Sequence, residues 1–417
     1  MIEIYPSYYE RFRCIADRCE DTCCAGWEID IDDDTYERYM RVGGDLGARL
    51  RACTKVYEGT DDGYEEVYEQ HGFVLTEDLR CPFLDENNLC DIYRELGEDA
   101  LCEVCTHTPR NYLEYMVSDR MPDTPDSDDA THPVREISLS ASCPEAARLI
   151  YGSPERISFV KKEVPDEESI TDREEGEPDE EEAELGAFLK NVRDEAIRML
   201  QDREYSLTDR IRIFLKHSEA VQEAINRWEA GGAENLRLHA VSREEKEPME
   251  KSDGEAVYRH FLIRMGTFSG LASIGKGWKD KVEGLFQSFV GEEEENQRFR
   301  ERYLEASDNL LNYLTENNRL YEYEHLLVYY AFLLLNRSID DYDYLGKAKL
   351  VVLSYLMNRD MDAAVFLQKG ILTREDRQEN ARLYAREVEH AEENLADLAE
   401  EILFERAYDA ESLVSVI

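Results

Sequence analysis

Ten cysteines crowd into residues 14–143, and the 274 residues that follow hold none. Thiols this dense fold around disulfides or around a bound metal, and the redox compartment decides which. A disulfide-stapled secreted domain is short and follows a signal peptide. This chain has 417 residues and opens Met-Ile-Glu-Ile-Tyr-Pro, without a basic segment or a long apolar one. The expectation is therefore a cytoplasmic protein whose cysteines hold a metal or an iron–sulfur cluster.

The spacing names the candidates. Cys14-x4-Cys19-x3-Cys23-Cys24 opens the series, Cys81-Pro-Phe-Leu-Asp-x4-Cys90 follows, then Cys102-x2-Cys105, and finally Ser142-Cys143-Pro-Glu. Thiolates are soft ligands that select zinc, copper(I) or iron–sulfur clusters. Short spacings bring two or three of them to one point at little loop-closure cost. Cys14, Cys19, Cys23, Cys24, Cys81, Cys90, Cys105 and Cys143 are the expected ligands, of a [4Fe-4S] cluster or of zinc. Adjacent Cys23 and Cys24 do not easily face one ion, so one of them is open to serving a second site. Cys53 is expected to lie apart. His71 and His107 lack ligand spacing and read first as structural. Cys143 precedes a helix start with Pro144 at the first helical position, where a thiolate is stabilised.

Periodicity predicts a mainly α protein: a small cysteine-rich α+β metal-binding unit at 1–152, an acidic linker at 153–184 and an all-helical bundle at 185–417. In the first part, Trp27, Ile29 and Ile31 alternate with polar residues as a strand does, leading into a helix at Asp34-Thr35. Ile137, Leu139 and Ala141 alternate likewise, and Asp91 to Leu101 reads as helix. Ser118 to Pro133, with three prolines and five aspartates, reads as a mobile loop. Between Glu163 and Glu184, 13 of 22 residues are acidic, as expected of a solvated linker. Beyond it, Leu185, Phe188, Leu189, Val192, Ala196 and Met199 recur at helical spacing. Further helices are expected at 258–289, 299–313, 345–357 and 374–404. Tyr321 to Leu335 is apolar on most faces, which predicts a buried central helix whose tyrosines belong to the core.

The residues Phe12-x-Cys14-Ile15-x3-Cys19-Glu20-Asp21-Thr22-Cys23-Cys24-Ala25-Gly26-Trp27, with Ile29-Asp30-Ile31-Asp32 and Thr35-Tyr36, resemble the opening of flagellin lysine-N-methylase family proteins. So do Cys81-Pro82-Phe83-Leu84-Asp85, Leu89-Cys90, Leu96-Gly97-Glu98, Pro109-Arg110 and Ser140-x-Ser142-Cys143-Pro144-Glu145. The resemblance is strong over the first 150 residues and loose in the helical part. It departs at Thr108, where the family has an aromatic residue, and at Cys102, which is additional. It implies S-adenosylmethionine-dependent N-methylation of lysine side chains on flagellin or another lysine-bearing protein. It also implies that Arg110 either binds the carboxylate of that methyl donor or braces the cysteine unit. No Gly-x-Gly-x-Gly follows a predicted strand, so no Rossmann-type methyltransferase site is visible and no catalytic residue can be named. The alternatives from other classes are a non-enzymatic zinc or iron–sulfur module with a helical partner-binding domain, and a redox sensor.

Acids number 94 against 49 Lys and Arg, a net charge of −45. Such a chain repels phosphate, so neither nucleic acid nor an anionic membrane surface is an expected partner. The longest strongly apolar run, Leu326 to Leu335, is too short to span a bilayer. The acidic excess runs along the whole chain, as a solvated surface does, although it also suits steering of a lysine-bearing substrate. Screening this self-repulsion should stabilise the fold. The melting temperature is expected to rise from low to molar salt; a flat or falling trend would exclude the solvated-surface reading.

Overall fold

The computed structural model describes residues 1–60, 67–118, 131–165, 180–231, 236, 253–274, 277–292 and 295–417. The chain forms two compact units. One comprises Phe12–Asn111 with Cys143–Ala146; the other comprises Met1–Arg11, Tyr112–Ser142 and Ala147–Ile417.

In chain order, β1 (Ile2–Pro6) is followed by β2 (Asp30–Ile31), α1 (Asp33–Arg41), α2 (Gly44–Cys53), β3 (Thr54–Thr60), β4 (Val67–Phe73), α3 (Asp91–Leu96) and α4 (Glu103–His107). Next come β5 (Arg110–Ser118), β6 (Thr131–Leu139), α5 (Pro144–Tyr151) and β7 (Phe159–Glu163). The rest is helical: α6 (Glu180–Leu200), α7 (Leu207–Gly231), α8 (Gly254–Gly270), α9 (Trp278–Phe289), α10 (Asn296–Glu316) and α11 (Tyr321–Leu334). It ends with α12 (Ser338–Asp341), α13 (Tyr344–Lys369), α14 (Arg374–Glu389), α15 (Glu392–Phe404) and α16 (Ala410–Ser415). The protein is thus mainly helical, with strands, among the described residues, confined to its N-terminal part.

In the smaller unit the strands β2-β4-β3 form an antiparallel sheet. Pairing of the expected strand at 27–31 is limited to Asp30 and Ile31, opposite Gly72 and His71. The next residue, Asp32, caps α1 by accepting from Thr35 N at 2.9 Å. The helix expected from Asp91 to Leu101 stops at Leu96, because Gly97 adopts φ +92° and a single 3-10 turn follows.

In the larger unit four strands run in the order β5-β6-β1-β7. β1 lies parallel to β6, with Ile2 opposite Val134, and antiparallel to β7, with Ile4 opposite Lys161. Arg135 and Glu136 are consecutive on β6, so they face opposite sides of the sheet. On one side Arg135 bonds Glu114 at 2.6 Å and Glu3 at 3.2 Å, crossing β5-β6-β1. On the other, Glu136 receives Arg193 of α6 at 2.8 Å, Tyr115 Oη at 2.5 Å and Asn336 Nδ2 at 2.8 Å. Helix α6 comes so close that a Cβ on Gly186 would stand 2.1 Å from the Met116 carbonyl oxygen.

The expected central helix is α11, where Tyr321, Tyr323, Tyr329 and Tyr330 are all buried. Its buried acids are paired, Glu324 with Arg203 and Arg210, Glu322 with Arg319. The long α13 packs on α7, α9, α10, α11, α14 and α15. The helix expected over 374–404 is two helices: Ala391 is extended, and Asn394 Nδ2 donates to the Glu387 carbonyl at the end of α14. No helix among the described residues is long and apolar enough to cross a membrane. Residues 119–130 of the expected loop at 118–133 and 166–179 of the expected linker at 153–184 lie outside the described residues. Of the described parts, Ser118 and Thr131–Pro133 belong to β5 and β6, Phe159–Glu163 to β7, and the residues from Glu180 on to α6.

Arg193 and Glu136 are both almost inaccessible to water. Removing one partner of such a pair leaves a buried uncompensated charge, at a cost of about 3–5 kcal/mol. Arg193→Ala should therefore lose about that much in urea unfolding. Arg41→Ala, which deletes an ion pair exposed on both sides, should leave the midpoint unchanged.

Candidate functional site

The cysteines are placed by short-range pairings within the smaller unit. Cys81 N donates to Cys24 O at 2.8 Å, and Gly26 N donates to Leu79 O at 2.8 Å. These bonds lay the Cys23-Cys24 segment beside Cys81. Gly26, which stands where the third cysteine of a Cys-x3-Cys-x2-Cys loop would be, has φ +98°. Between Cys81 and Cys90 the chain turns on Asp85, whose Oδ1 accepts from Asn87 N at 2.8 Å and Leu89 N at 2.9 Å. Cys90 then precedes α3, Cys102 precedes α4 and Cys105 lies within α4.

The expected ligands form two neighbourhoods. Cys23 lies within electrostatic reach of Cys14 and Cys143, and Cys143 of Cys19 and Cys14. Cys81 neighbours Cys24, Cys90 and Cys102; Cys105 neighbours Cys102, Cys24 and Cys81. The two sets touch at Cys23 and Cys24, whose sulfurs are 4.0 Å apart. The second set packs on a core of Ile29, Ile31, Tyr39, Leu50, Phe73 and Phe83, and half-buried Cys53 also touches that core. Among the described residues, no three His, Cys, Asp or Glu side chains stand close enough to hold one ion.

The thiols differ in acidity. Cys24 is hydrogen-bonded by Cys23, which drives it down to about 7 and drives Cys23 up. The same sharing of a proton lowers Cys102 and raises Cys105. Burial pushes Cys81 up to about 12, and Cys90 up as well. Cys143 faces the backbone N–H groups of Glu145 and Ala146, as expected beside a helix start. Desolvation outweighs them and pushes it up to about 11. A cation bound among these sulfurs would reverse that balance, since a coordinating thiol loses its proton.

Arg110 sits at the C-terminal end of α4. Its Nη1 reaches the carbonyls of Thr106 at 3.4 Å and His107 at 3.5 Å, and its guanidinium lies over the Phe12 ring at 5.6 Å. These contacts suit a brace. His71 stacks on Tyr36 at 3.7 Å and turns Nε2 to Asp33 at 3.2 Å. His107 lines a polar concavity of about 460 Å³ with Asp32, Arg38, Glu103 and Thr106. In the larger unit the motif serines Ser140 and Ser142 meet Glu389 and His390. Sequence reasoning missed that meeting, because some 250 residues separate the partners and neither Glu389 nor His390 belongs to a motif.

A model of the FliB lysine N-methylase C-terminal domain matches residues 193–416, more than half of the chain. Lysine-N-methylases of Salmonella typhimurium and Salmonella choleraesuis are each 27% identical to it over 161 residues, 38% of this chain and 35% of theirs. A flagellar biosynthetic protein FliU of Salmonella muenchen is 27% identical over 170 residues, 40% of this chain and 88% of its own. The match thus spans about a third of the length of these lysine-N-methylases. No solved structure matches the chain.

The positive φ at Gly26 tests how the Cys24–Cys81 pairing is held. A side chain there costs about 1–2 kcal/mol. Gly26→Ala is expected to lower the melting temperature of the metal-free protein, whereas Gly43→Ala, in extended backbone with open space around its Cβ, should not.

Proposed function

The chain belongs to the FliB lysine N-methylase family, and from that premise we propose that it is a protein-lysine N-methyltransferase drawing its methyl group from S-adenosylmethionine. The match over residues 193–416 carries this reading. Flagellin is the favoured substrate, supported by the flagellar name of one relative and by the motifs at Cys14–Trp27, Cys81–Cys90, Pro109–Arg110 and Ser140–Glu145. A surface with a net charge of −45 attracts lysine-rich protein and repels phosphate.

The reading includes a thiolate-bound metal. By their chemistry the donors suit a soft metal, all being sulfur. They neighbour one another in one set of Cys14, Cys19, Cys23 and Cys143 and a second of Cys24, Cys81, Cys90 and Cys105 with Cys102 beside it. Loading would have to draw them closer, since no three among the described residues stand near enough to hold one ion. Splitting the adjacent pair between the sets resolves the difficulty of aiming Cys23 and Cys24 at one ion. Zinc held this way would supply folding free energy, and an iron–sulfur cluster would add one-electron chemistry. The chain's own part is to hold the thiols together, with Cys81 buried and most of the others half-buried. Arg110 braces α4, which carries Cys105.

The test is mass spectrometry of purified flagellin incubated with the full chain and S-adenosylmethionine. Methyl-sized increments on lysine are expected. Their absence from protein shown to be metal-loaded would overturn the methyltransferase and promote a metal-binding module. Metal and sulfide analysis after anaerobic purification distinguishes zinc from a cluster. Chelation should unfold the Phe12–Asn111 unit before the helical unit, because bound metal contributes to folding. Unchanged melting of both units would exclude a structural metal.

A further inference from the structure

Glu389 closes α14 in the larger unit, where two distant segments bring hydroxyl groups to its carboxylate. Oε1 accepts from Tyr329 Oη at 2.9 Å and from Tyr330 Oη at 3.3 Å, and Oε2 accepts from Ser140 Oγ at 2.7 Å. His390 Nε2 lies 3.0 Å from Ser140 Oγ and 2.9 Å from Ser142 Oγ, so the two serines and His390 close one side. Tyr151 joins the same group; it is 1% exposed and its hydroxyl has no hydrogen-bond partner among the described residues.

Two features set this group apart from the arginine-paired acids of the core. Glu136, Glu322, Glu324, Asp360 and Asp362 each face an arginine. Glu389 makes no ion pair among the described residues; its partners are neutral, three hydroxyls and the Ala141 backbone N–H. Yet it stays partly open to solvent, and so do Ser142 and His390 beside it. A carboxylate held by neutral donors, without a cation and within reach of solvent, is a site for a small cation that arrives from outside.

We propose that Glu389 receives the side-chain ammonium of the methyl-accepting lysine and takes its proton. Tyr329, Tyr330 and Ser140 act as positioning residues through their bonds to the carboxylate. The proposal rests on the methyltransferase reading for the identity of the ammonium. The lysine ammonium binds Glu389 and gives one proton to the carboxylate. The neutral amine nitrogen then forms the N–C bond to the methyl of the sulfonium donor. The C–S bond breaks, with its electron pair left on sulfur, and the proton on Glu389 leaves to water. Burial suits the carboxyl to this exchange, pushing it up to about 7 against the opposing hydroxyl bonds. The titratable groups around it are Tyr8, Tyr151, Tyr329, Tyr330 and Tyr384, all raised, and His390, lowered to about 4 by desolvation with Arg386 beside it. At neutral pH none of these tyrosines nor His390 is charged.

Two measurements on the metal-loaded full chain test this. With flagellin and S-adenosylmethionine, Glu389→Gln should lower kcat about 100- to 10,000-fold and leave calorimetric binding of S-adenosylmethionine unchanged. The acid limb of the wild-type pH–rate profile, near pH 7, should vanish from the residual activity. Tyr329→Phe, which removes one donor to the carboxylate, should move that limb upward and covers the case in which Glu389→Gln fails to fold. An active wild type with an equally active Glu389→Gln and an unmoved acid limb would overturn the proposal while leaving the methyltransferase standing. The second measurement needs no turnover. n-Butylammonium, titrated at pH 8 and followed by tyrosine fluorescence, should bind wild type and not Glu389→Gln. Equal binding to both overturns the amine site. Glu389-dependent binding without any methylation of flagellin would keep the amine site and overturn the methyltransferase reading.

Discussion

The larger unit depends on the buried pair of Glu136 and Arg193. A four-stranded sheet flanked by helices needs something to fix which helix lies on it and at what height, and apolar contact alone is non-directional. Here a carboxylate on β6 takes bonds from α6, from β5 through Tyr115 and from Asn336 just after α11. Breaking the pair would strand a buried charge, whereas forming it does little more than repay desolvation, so the pair penalises other placements more than it stabilises this one. Gly186 lets α6 approach closely enough for that geometry to form.

The same logic recurs through the helices. Arg264 meets Asp360, Arg377 meets Asp362 and Arg210 meets Glu324 within the helical core, and exposed Arg203 reaches the same Glu324. An acidic chain with few basic residues spends many of its arginines inside, where a planar fork matches a carboxylate. Against this background a carboxylate supported by neutral donors alone is out of pattern, and that contrast identifies Glu389.

Local order was legible in the sequence and long-range order was not. The start of α5 could be read from Pro144, the entry to α1 from the alternation before it, and the burial of α11 from its lack of a polar face. Each is a property of a few consecutive residues. Strands β1 and β7 were not found, because Ile2 pairs with Val134 and with Glu163, and no local pattern announces such partners. The cysteines were legible as a set, since thiols at short spacing are rare without a reason. Their division at Cys23 and Cys24 was readable only as the awkwardness of two adjacent thiols sharing an ion. Ser140 and Ser142 stood inside a recognisable motif, but their partners at 389 and 390 lie in an unremarkable helix end.

The position of β1 bears on the order in which the protein can assemble on the ribosome. β1 ends at Pro6, but its parallel partner emerges only with Val134 to Glu136. At about 5–20 residues per second, that interval is on the order of ten seconds. The contiguous stretch Phe12–Asn111 is synthesised meanwhile, so the cysteine unit has most of its thiols in place before the first strand has a neighbour. Cys143 leaves the ribosome directly behind β6. Pairing of β1 with β6 and arrival of the last thiol are therefore nearly one event in synthesis, with β7 still to follow, and until then the nascent chain carries both reactive sulfur and an unpaired strand.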